Sequence, residues 1–244
     1  MERAEYIRMA TLEDTMWWYR AMHERLIEQL KHLQLEPGAR VLDAGCGTGG
    51  LLLRLTRDAP ELDYVGVEYD AEAVDIAEAK TGATVQRGSL NALPFPTGHF
   101  DAILSTDVLC HRQVDESLAM SELIRCLKPG KSLLLNLPAY NWMKSSHDLH
   151  VHTARRYTAA SARRLAEATG FRIAGAGYWN TLMFPLVLLY RLTAGRNRKQ
   201  SDVQSFPPWQ DRLFYAVTVA ERRLTSRGFR PPFGASVWVW AVKP

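Results

Sequence analysis

The chain has 244 residues, 47% of them apolar, which is enough for one large domain with a proper core. Three cysteines without paired spacing predict neither a disulfide framework nor a zinc site, and they favour a reducing compartment. The first residues do not read as a secretory signal, and the most apolar run is too short to cross a bilayer. We therefore expect a cytoplasmic protein.

The net charge of +4 is unevenly distributed. Residues 1–149 hold 15 basic and 22 acidic side chains, whereas residues 150–244 hold 15 and 4. A basic C-terminal third suits an acidic substrate, anionic lipid or nucleic acid, and it equally suits a solvated arginine-rich surface.

The predicted elements begin with one long helix and then alternate. Apolar residues at helical spacing predict this helix over residues 11–34, and Pro37 and Gly38 end it. The alternation that follows is typical of a parallel sheet with helical crossovers. The predicted strands are residues 40–45, 63–68, 84–88, 100–106, 132–138, 171–179 and 236–243. The predicted helices are residues 51–57, 71–81, 116–127, 159–169, 182–193 and 209–225.

These elements predict an α/β fold with a doubly wound, seven-stranded, mostly parallel sheet in a single domain. Its parts are an N-terminal helical cap (1–36), a cofactor-binding core (37–179), a helical lid inserted before the last strand (180–234) and that strand (235–244). The lid and the loop over residues 139–158 leave the sheet at the carboxyl ends of strands, where open α/β sheets bind ligands.

The stretch "VLDAGCGTGG", residues 41–50, joins a strand to a glycine-rich turn. Its glycines fit the spacing of a dinucleotide-binding turn, but Asp43 would repel a pyrophosphate, and no Lys or Arg lies between residues 41 and 53. The acid suits a cationic amino or sulfonium group instead. Glu68 ends the next strand, where an acid accepts hydrogen bonds from ribose hydroxyls. The pattern predicts a ribose ligand with a cationic amino-acid tail.

At these motifs the sequence resembles the class I S-adenosylmethionine-dependent methyltransferases, over residues 37–175 and the last strand. "VGVEYD", "RGSLNALPFPTGHFDAILSTDVLCHR" and "LIRCLKPGKSLLLNLP" resemble the later motifs of that family. The whole chain is also similar to a bacterial methyltransferase-like group that shares "WWY", "NLPAY" and the "SSHD" loop. The resemblance implies S-adenosylmethionine as the cofactor and a Rossmann-like methyltransferase fold. The implied cofactor-binding residues are Asp43, Gly45, Cys46, Gly47, Glu68, Tyr69, Ser89, Leu90 and Thr106, with Ser89 standing where the family often has an aspartate.

Methyl transfer needs alignment of the acceptor and exclusion of water, and it needs a base only if the acceptor loses a proton. His111, just past the fourth strand, is a candidate base or a residue that structures its loop. The loop "HDLHVHTARRY" (147–157) is compatible with a His–Asp dyad, a metal site, an Arg-plus-His pocket for an acidic acceptor, or a polar loop that caps the next helix. We expect no metal. The predicted catalytic residues are His111, His147, Asp148 and His152.

Aromatic residues suggest where an acceptor binds. Trp18 follows Trp17 and precedes Tyr19, and at least one of these three rings is expected to face away from the core. We predict that Trp18 binds the cofactor by covering it near its sulfonium, the alternative being core packing. The apolar run over residues 182–199 could line an acceptor pocket or meet a lipid surface. The predicted substrate-binding residues are Tyr19, Tyr140, Arg156, Tyr157, Trp179 and Asn180.

We therefore predict a methyltransferase that acts on an O, N or C atom of a small, partly aromatic or apolar acceptor. One alternative is RNA or protein methylation through the basic C-terminal third; the other is a non-catalytic cofactor-binding or membrane-associated protein. No DNA partner is expected, and a homodimer is left open.

Overall fold

The computed structural model describes residues 3–193 and 205–244, without the side chains of residues 3, 4, 146, 147, 192 and 193. Seven strands form one sheet in the order β3-β2-β1-β4-β5-β7-β6, in which only β7 runs antiparallel to its neighbours. This confirms the predicted α/β fold. The strands are β1 (Arg40–Ala44), β2 (Asp63–Glu68), β3 (Thr84–Arg87), β4 (Phe100–Thr106), β5 (Leu127–Pro138), β6 (Arg172–Trp179) and β7 (Ser236–Val242).

Helices cover both faces of the sheet, which explains why its central strands are almost continuously apolar. One hydrophobic cluster joins one face of the sheet to α2, α3 and α4, and a second joins the other face to α5 and α7. The helices are α1 (Arg3–Leu12), α2 (Trp17–His32), α3 (Gly50–Asp58), α4 (Ala71–Thr81), α5 (Glu116–Cys126), α6 (Ser146–His150), α7 (Ala159–Ala168), α8 (Phe184–Thr193) and α9 (Pro208–Ser226).

The N-terminal region differs from the single predicted helix. Two helices, α1 and α2, are separated at residues 13–16, and the backbone is extended at Met16. The prediction of one helix over residues 11–34 was therefore wrong in its N-terminal part. The short polar side chains of Asp14 and Thr15 favour such a break, because they compete with helical hydrogen bonding.

The inserted helices lie between β6 and β7. Helix α9 packs along α2, where Asp211 accepts a hydrogen bond from the backbone N–H of Trp17 and Tyr215 donates to Glu24. The buried carboxylate of Glu221 accepts hydrogen bonds from the backbone N–H groups of Thr181 and Leu182. These contacts fix the insertion against the N-terminal helices.

The loop over residues 139–158 has more structure than its polar sequence predicts. It contains a 3-10 turn (Asn141–Met143) and the short helix α6 before a backbone bridge between Ala139 and Tyr157. Thr158 then begins α7 with a reciprocal capping box with Ser161. This capping corresponds to the interpretation of the segment as a polar loop that caps the next helix.

Candidate functional site

Four polar residues lie in a row at the carboxyl edge of the sheet. Asp43 is on β1 and Glu68 ends β2, while Asp107 follows β4 and Asn136 is near the end of β5. Because β2, β1, β4 and β5 are consecutive neighbours in the sheet, these residues share one edge. This edge is the place where an open parallel sheet binds a ligand.

The glycine-rich turn after β1 brings backbone close to this edge. Gly45 and Gly47 have positive φ values of 83° and 56°. A Cβ on Gly45 would lie 2.3 Å from a methyl group of Val108, and a Cβ on Gly47 would lie 2.6 Å from the methyl group of Met9. Residues with side chains are therefore excluded from both positions, which leaves a cradle of bare backbone.

Asp43 is a buried acceptor without a donor. Its side chain is 1% exposed, and neither carboxylate oxygen has a hydrogen-bond partner among the described residues. Burial, together with the neighbouring carboxylates of Glu13 and Glu68, raises the pKa of Asp43 to about 8. Such a carboxylate is complementary to a cationic group.

Glu68 is held next to the cradle by backbone donors. One of its oxygens accepts a hydrogen bond from the N–H of Gly47 at 3.0 Å, and the other accepts from the N–H of Asp70 at 3.1 Å. The hydroxyl of Tyr6 also donates to Glu68, at 3.1 Å. The carboxylate is thus fixed in a position from which it can accept hydrogen bonds from hydroxyl groups.

Helix α1 lies directly over the cradle, which the sequence did not indicate. Besides Tyr6 and Met9, the segment contributes Glu13, whose carboxylate accepts hydrogen bonds from Thr48 at 2.6 Å and from Lys80 at 2.7 Å. Burial raises the pKa of Glu13 although the Lys80 ammonium opposes it. The weak apolar periodicity of α1 gives no signal for this placement.

The remaining predicted cofactor residues surround the same edge. Leu90 and Cys46 are buried, whereas Tyr69 is 61% exposed. The hydroxyl of Ser89 accepts a hydrogen bond from the N–H of Asn91, and Thr106 ends β4 half-buried. Contact of these residues with the cofactor stays a prediction.

The comparisons with known proteins agree with this geometry. Residues 41–130, which contain the cradle, Glu68 and the β4 edge, match the family model of a methyltransferase domain. This match identifies a methyltransferase domain within the chain. The orphaned Asp43 and the glycine cradle fit the methionine end of S-adenosylmethionine, which is its cofactor.

Three proteins illustrate the similarity. The 24-methylenesterol C-methyltransferase 2 of Arabidopsis thaliana is 30% identical over 53% of this chain and 37% of its own length. A ubiquinone/menaquinone biosynthesis C-methyltransferase of Geotalea daltonii is 24% identical over 65% of this chain and 78% of its own length. The phosphoethanolamine N-methyltransferase 2 of Haemonchus contortus, solved with S-adenosyl-L-methionine, has a TM-score of 0.60 at 20% identity, covering 91% of this chain and 52% of that one.

The chain spans less than two thirds of the length of several curated relatives, including 37% of the Arabidopsis enzyme. Across residues 3–193 and 205–244 of the methyltransferase, no helix has the length and apolar character needed to span a bilayer.

Asp107 and Asn136, which the sequence analysis missed, form a polar link between the ends of β4 and β5. The amide of Asn136 donates to Asp107 at 3.1 Å and accepts from the indole N–H of Trp179 at 2.7 Å. Asp107 has a φ of 54°, unusual for a residue with a side chain. Burial raises its pKa to about 7, although Arg156 and the Asn136 hydrogen bond oppose this shift.

His111 lies in the loop that follows Asp107. Its backbone N–H donates to the carbonyl of Val108, and its backbone forms an isolated bridge with Thr153. The loop after β4 is thereby joined to the loop over residues 139–158. His111 stays a predicted base of the methyltransferase.

Asp148 and Arg156 pair with each other. Two guanidinium nitrogens of Arg156 donate to the two carboxylate oxygens of Asp148 at 2.8 and 3.0 Å, and both side chains are buried. Burial alone would raise the pKa of Asp148, but Arg156 holds it below its usual value. The pair joins the two ends of the polar loop, so this geometry favours a structural role over the predicted His–Asp dyad and over an anion pocket.

The loop histidines complete the predicted catalytic set. The side chain of His147 lies outside the described part of the chain. His152 has a φ of 56°, and its carbonyl accepts a hydrogen bond from the N–H of Arg112.

The predicted acceptor residues divide into buried and half-buried groups. The hydroxyl of Tyr157 contacts the Leu109 carbonyl and Glu116, which fixes it inside the fold. Trp179 is also buried, and its ring stacks on Trp18 at 6.4 Å between centroids. Tyr19 and Asn180 are buried as well, whereas Tyr140 is half-buried.

Proposed function

We propose that the chain transfers the methyl group of S-adenosylmethionine to an O, N or C atom of a small, partly aromatic or apolar acceptor. Such a reaction is an in-line displacement at a carbon already activated by sulfonium, so the protein mainly aligns the acceptor and excludes water. The observation that carries the proposal is the buried, unpartnered Asp43 beside the glycine cradle and Glu68.

The aromatic residues at the ends of β5 and β6 support an apolar acceptor. Tyr140 stacks on Tyr178 at 5.5 Å and on Trp142 at 5.4 Å, and Phe184 packs edge-on against Tyr140. These rings stand at the same sheet edge as Asp107. Aromatic walls with a few polar groups are typical of small-molecule sites.

Asp107 is our candidate for the base when the acceptor must lose a proton. A general base works best when its pKa lies near the working pH, and burial raises the pKa of Asp107 to about 7. Asn136 orients its carboxylate. His111 remains the competing candidate, four residues further along the chain.

The experiment incubates the protein and S-adenosylmethionine with a panel of acceptors and measures the demethylated cofactor that is released. The acceptors are quinols, phenols, sterols and small amines. With an active acceptor, Asp107→Asn should lower kcat by roughly 10²- to 10⁴-fold and abolish the pH dependence near neutrality. Binding of S-adenosylhomocysteine should not change. His111→Gln is the matched comparison: if it removes the pH dependence and Asp107→Asn does not, the base is His111. If no acceptor of the panel yields product, the result counts against the proposed activity.

We also propose that residues 182–199 meet an anionic lipid surface, although residues 194–199 lie outside the described part. None of the side chains described for residues 184–191 is buried, although most are apolar. A lipid surface would bury the apolar side chains that α8 leaves exposed, Leu186 and Leu189. No acid occurs over residues 181–201 or 222–244, and Arg223, Arg227 and Arg230 are exposed.

Vesicle co-sedimentation tests this contact. The wild-type chain should sediment with vesicles that contain phosphatidylglycerol and not with neutral vesicles. Leu186→Glu combined with Leu189→Glu should abolish this, whereas Leu118→Glu, an equally exposed leucine on α5, should have no effect. The proposal would be contradicted if the α8 double variant sedimented with phosphatidylglycerol vesicles as much as the wild type does.

The alternatives remain testable beside these proposals. RNA methylation predicts salt-sensitive RNA binding through the basic C-terminal third. A non-catalytic role predicts cofactor binding without turnover. The homodimer stays a prediction that analytical ultracentrifugation checks.

A further inference from the structure

We propose that helix α1 is a built-in occupant of the cofactor site, which S-adenosylmethionine must displace to bind. The inference rests on the cofactor assignment above. It arises because the residues that fill the cradle belong to the chain itself.

Tyr6 occupies the hydrogen-bonding position expected for ribose. Its hydroxyl donates to Glu68 at 3.1 Å, and this carboxylate already accepts from Gly47 and Asp70. The carboxylate predicted to hold the ribose hydroxyls thus has a hydroxyl donor from α1. A ribose can replace that donor only if Tyr6 leaves.

Met9 occupies the space in front of the glycine turn. Its terminal methyl group lies only 2.6 Å from the position that a Cβ on Gly47 would take. The side chain of Met9 therefore lies at the turn that is predicted to receive the methionine end of the cofactor. Close backbone approach by a ligand requires the same space.

Asp43 shows independently that the observed arrangement is closed. Both of its oxygens lack a donor, yet the side chain is only 1% exposed. A buried carboxylate without a donor is costly, and a cationic ligand would relieve that cost. In the observed arrangement such a ligand would have to reach a side chain that is closed off from solvent.

The two ends of α1 differ in a way that allows it to move. Its C-terminal end is fixed by Glu13, which contacts Thr48 and Lys80. Residues 13–16 form a turn that separates α1 from α2. Helix α2 contributes buried side chains to the core cluster, whereas α1 contributes only the partly buried Met9 among its described side chains. Helix α1 can therefore swing about this turn while α2 stays in place.

Occlusion lowers the apparent affinity in proportion to the closed fraction. Removing a contact that exists only in the closed state should therefore tighten cofactor binding. If Tyr6 or Met9 instead contacted the bound cofactor, the same substitution would weaken binding.

The experiment compares the full-length chain with Tyr6→Phe and with Met9→Ala by isothermal titration with S-adenosylhomocysteine. We expect both variants to bind more tightly, Tyr6→Phe on the order of tenfold. Tyr215→Phe is the matched control, since that hydroxyl also donates to a glutamate, Glu24, but between α2 and α9. Its affinity should equal that of the wild type.

Hydrogen exchange gives a second readout. Amides of α1 should exchange faster when cofactor saturates the protein, while those of α2 should not. Unchanged or weaker binding by both variants, or slower exchange in α1 with cofactor, would overturn the inference while leaving the cofactor assignment intact. Absence of binding by the wild type and by both variants would overturn the inference and the cofactor assignment together.

Discussion

Asp43 should lose a proton when the cofactor binds. Burial and two neighbouring carboxylates hold its pKa at about 8, so at pH 7 about nine tenths of the molecules carry a neutral Asp43. A cationic group placed against it favours the carboxylate and lowers that pKa. Cofactor binding at pH 7 should therefore release nearly one proton from this residue.

The size of the effect follows from the distance between the pKa and the working pH. Each pH unit below the pKa costs about 1.4 kcal/mol for ionisation, which is tenfold in affinity. Affinity should rise roughly tenfold between pH 6 and pH 7, and less steeply up to pH 8. Above that, the gain should level off.

Isothermal titration in phosphate and in Tris measures the proton count, because the two buffers differ in ionisation enthalpy. Asp43→Asn supplies the reference, since the amino group of the cofactor titrates in both proteins and cancels in the difference. The reasoning would be refuted if the binding heat changed between the two buffers by the same amount for the wild type as for Asp43→Asn. Affinity that stays flat between pH 6 and pH 8 would do the same.

Two stability predictions accompany it. The pKa values of Asp43 and Asp107 are raised in the fold, so the folded state binds more protons than the unfolded state. The stability of the protein without cofactor should therefore fall as the pH rises from about 4 to about 8. Thermal melts should show a weaker dependence of stability on pH for Asp43→Asn than for the wild type. Asp148→Ala should leave the guanidinium of Arg156 buried and unpaired and cost about 3–5 kcal/mol in chemical denaturation. Glu167→Ala, which breaks an exposed ion pair, should cost less than about 1 kcal/mol; equal costs would contradict the assigned burial.

The sheet and the cofactor turn could be predicted because their signals are local. Buried parallel strands carry contiguous apolar residues, and β4 (Phe100–Thr106) has the bounds that were predicted for it. Helix α4 matches its predicted bounds because Asp70 caps its first turn and Gly82 ends it in a left-handed conformation. Local chemistry specified these elements.

The features that the sequence did not reveal depend on distant partners. Tyr6 lies 62 residues from Glu68, and no periodicity in α1 indicates which carboxylate it meets. The density of His, Asp and Arg in the loop predicted a reactive cluster, but the partner of Asp148 is set by the fold. Asp107 escaped notice because a lone acid after a strand carries no pattern, and its raised pKa arises mainly from burial in the fold.

Strand β7 pairs with both β5 and β6 and so occupies an interior place in the sheet. During synthesis, β1 to β4 emerge and can assemble long before Ser236 leaves the ribosome. The other half of the sheet must wait, with β6 lacking its only hydrogen-bonded neighbour among the described strands. Nascent chains should consequently assemble the half built from β1 to β4 first and complete the other half only after β7 has been made.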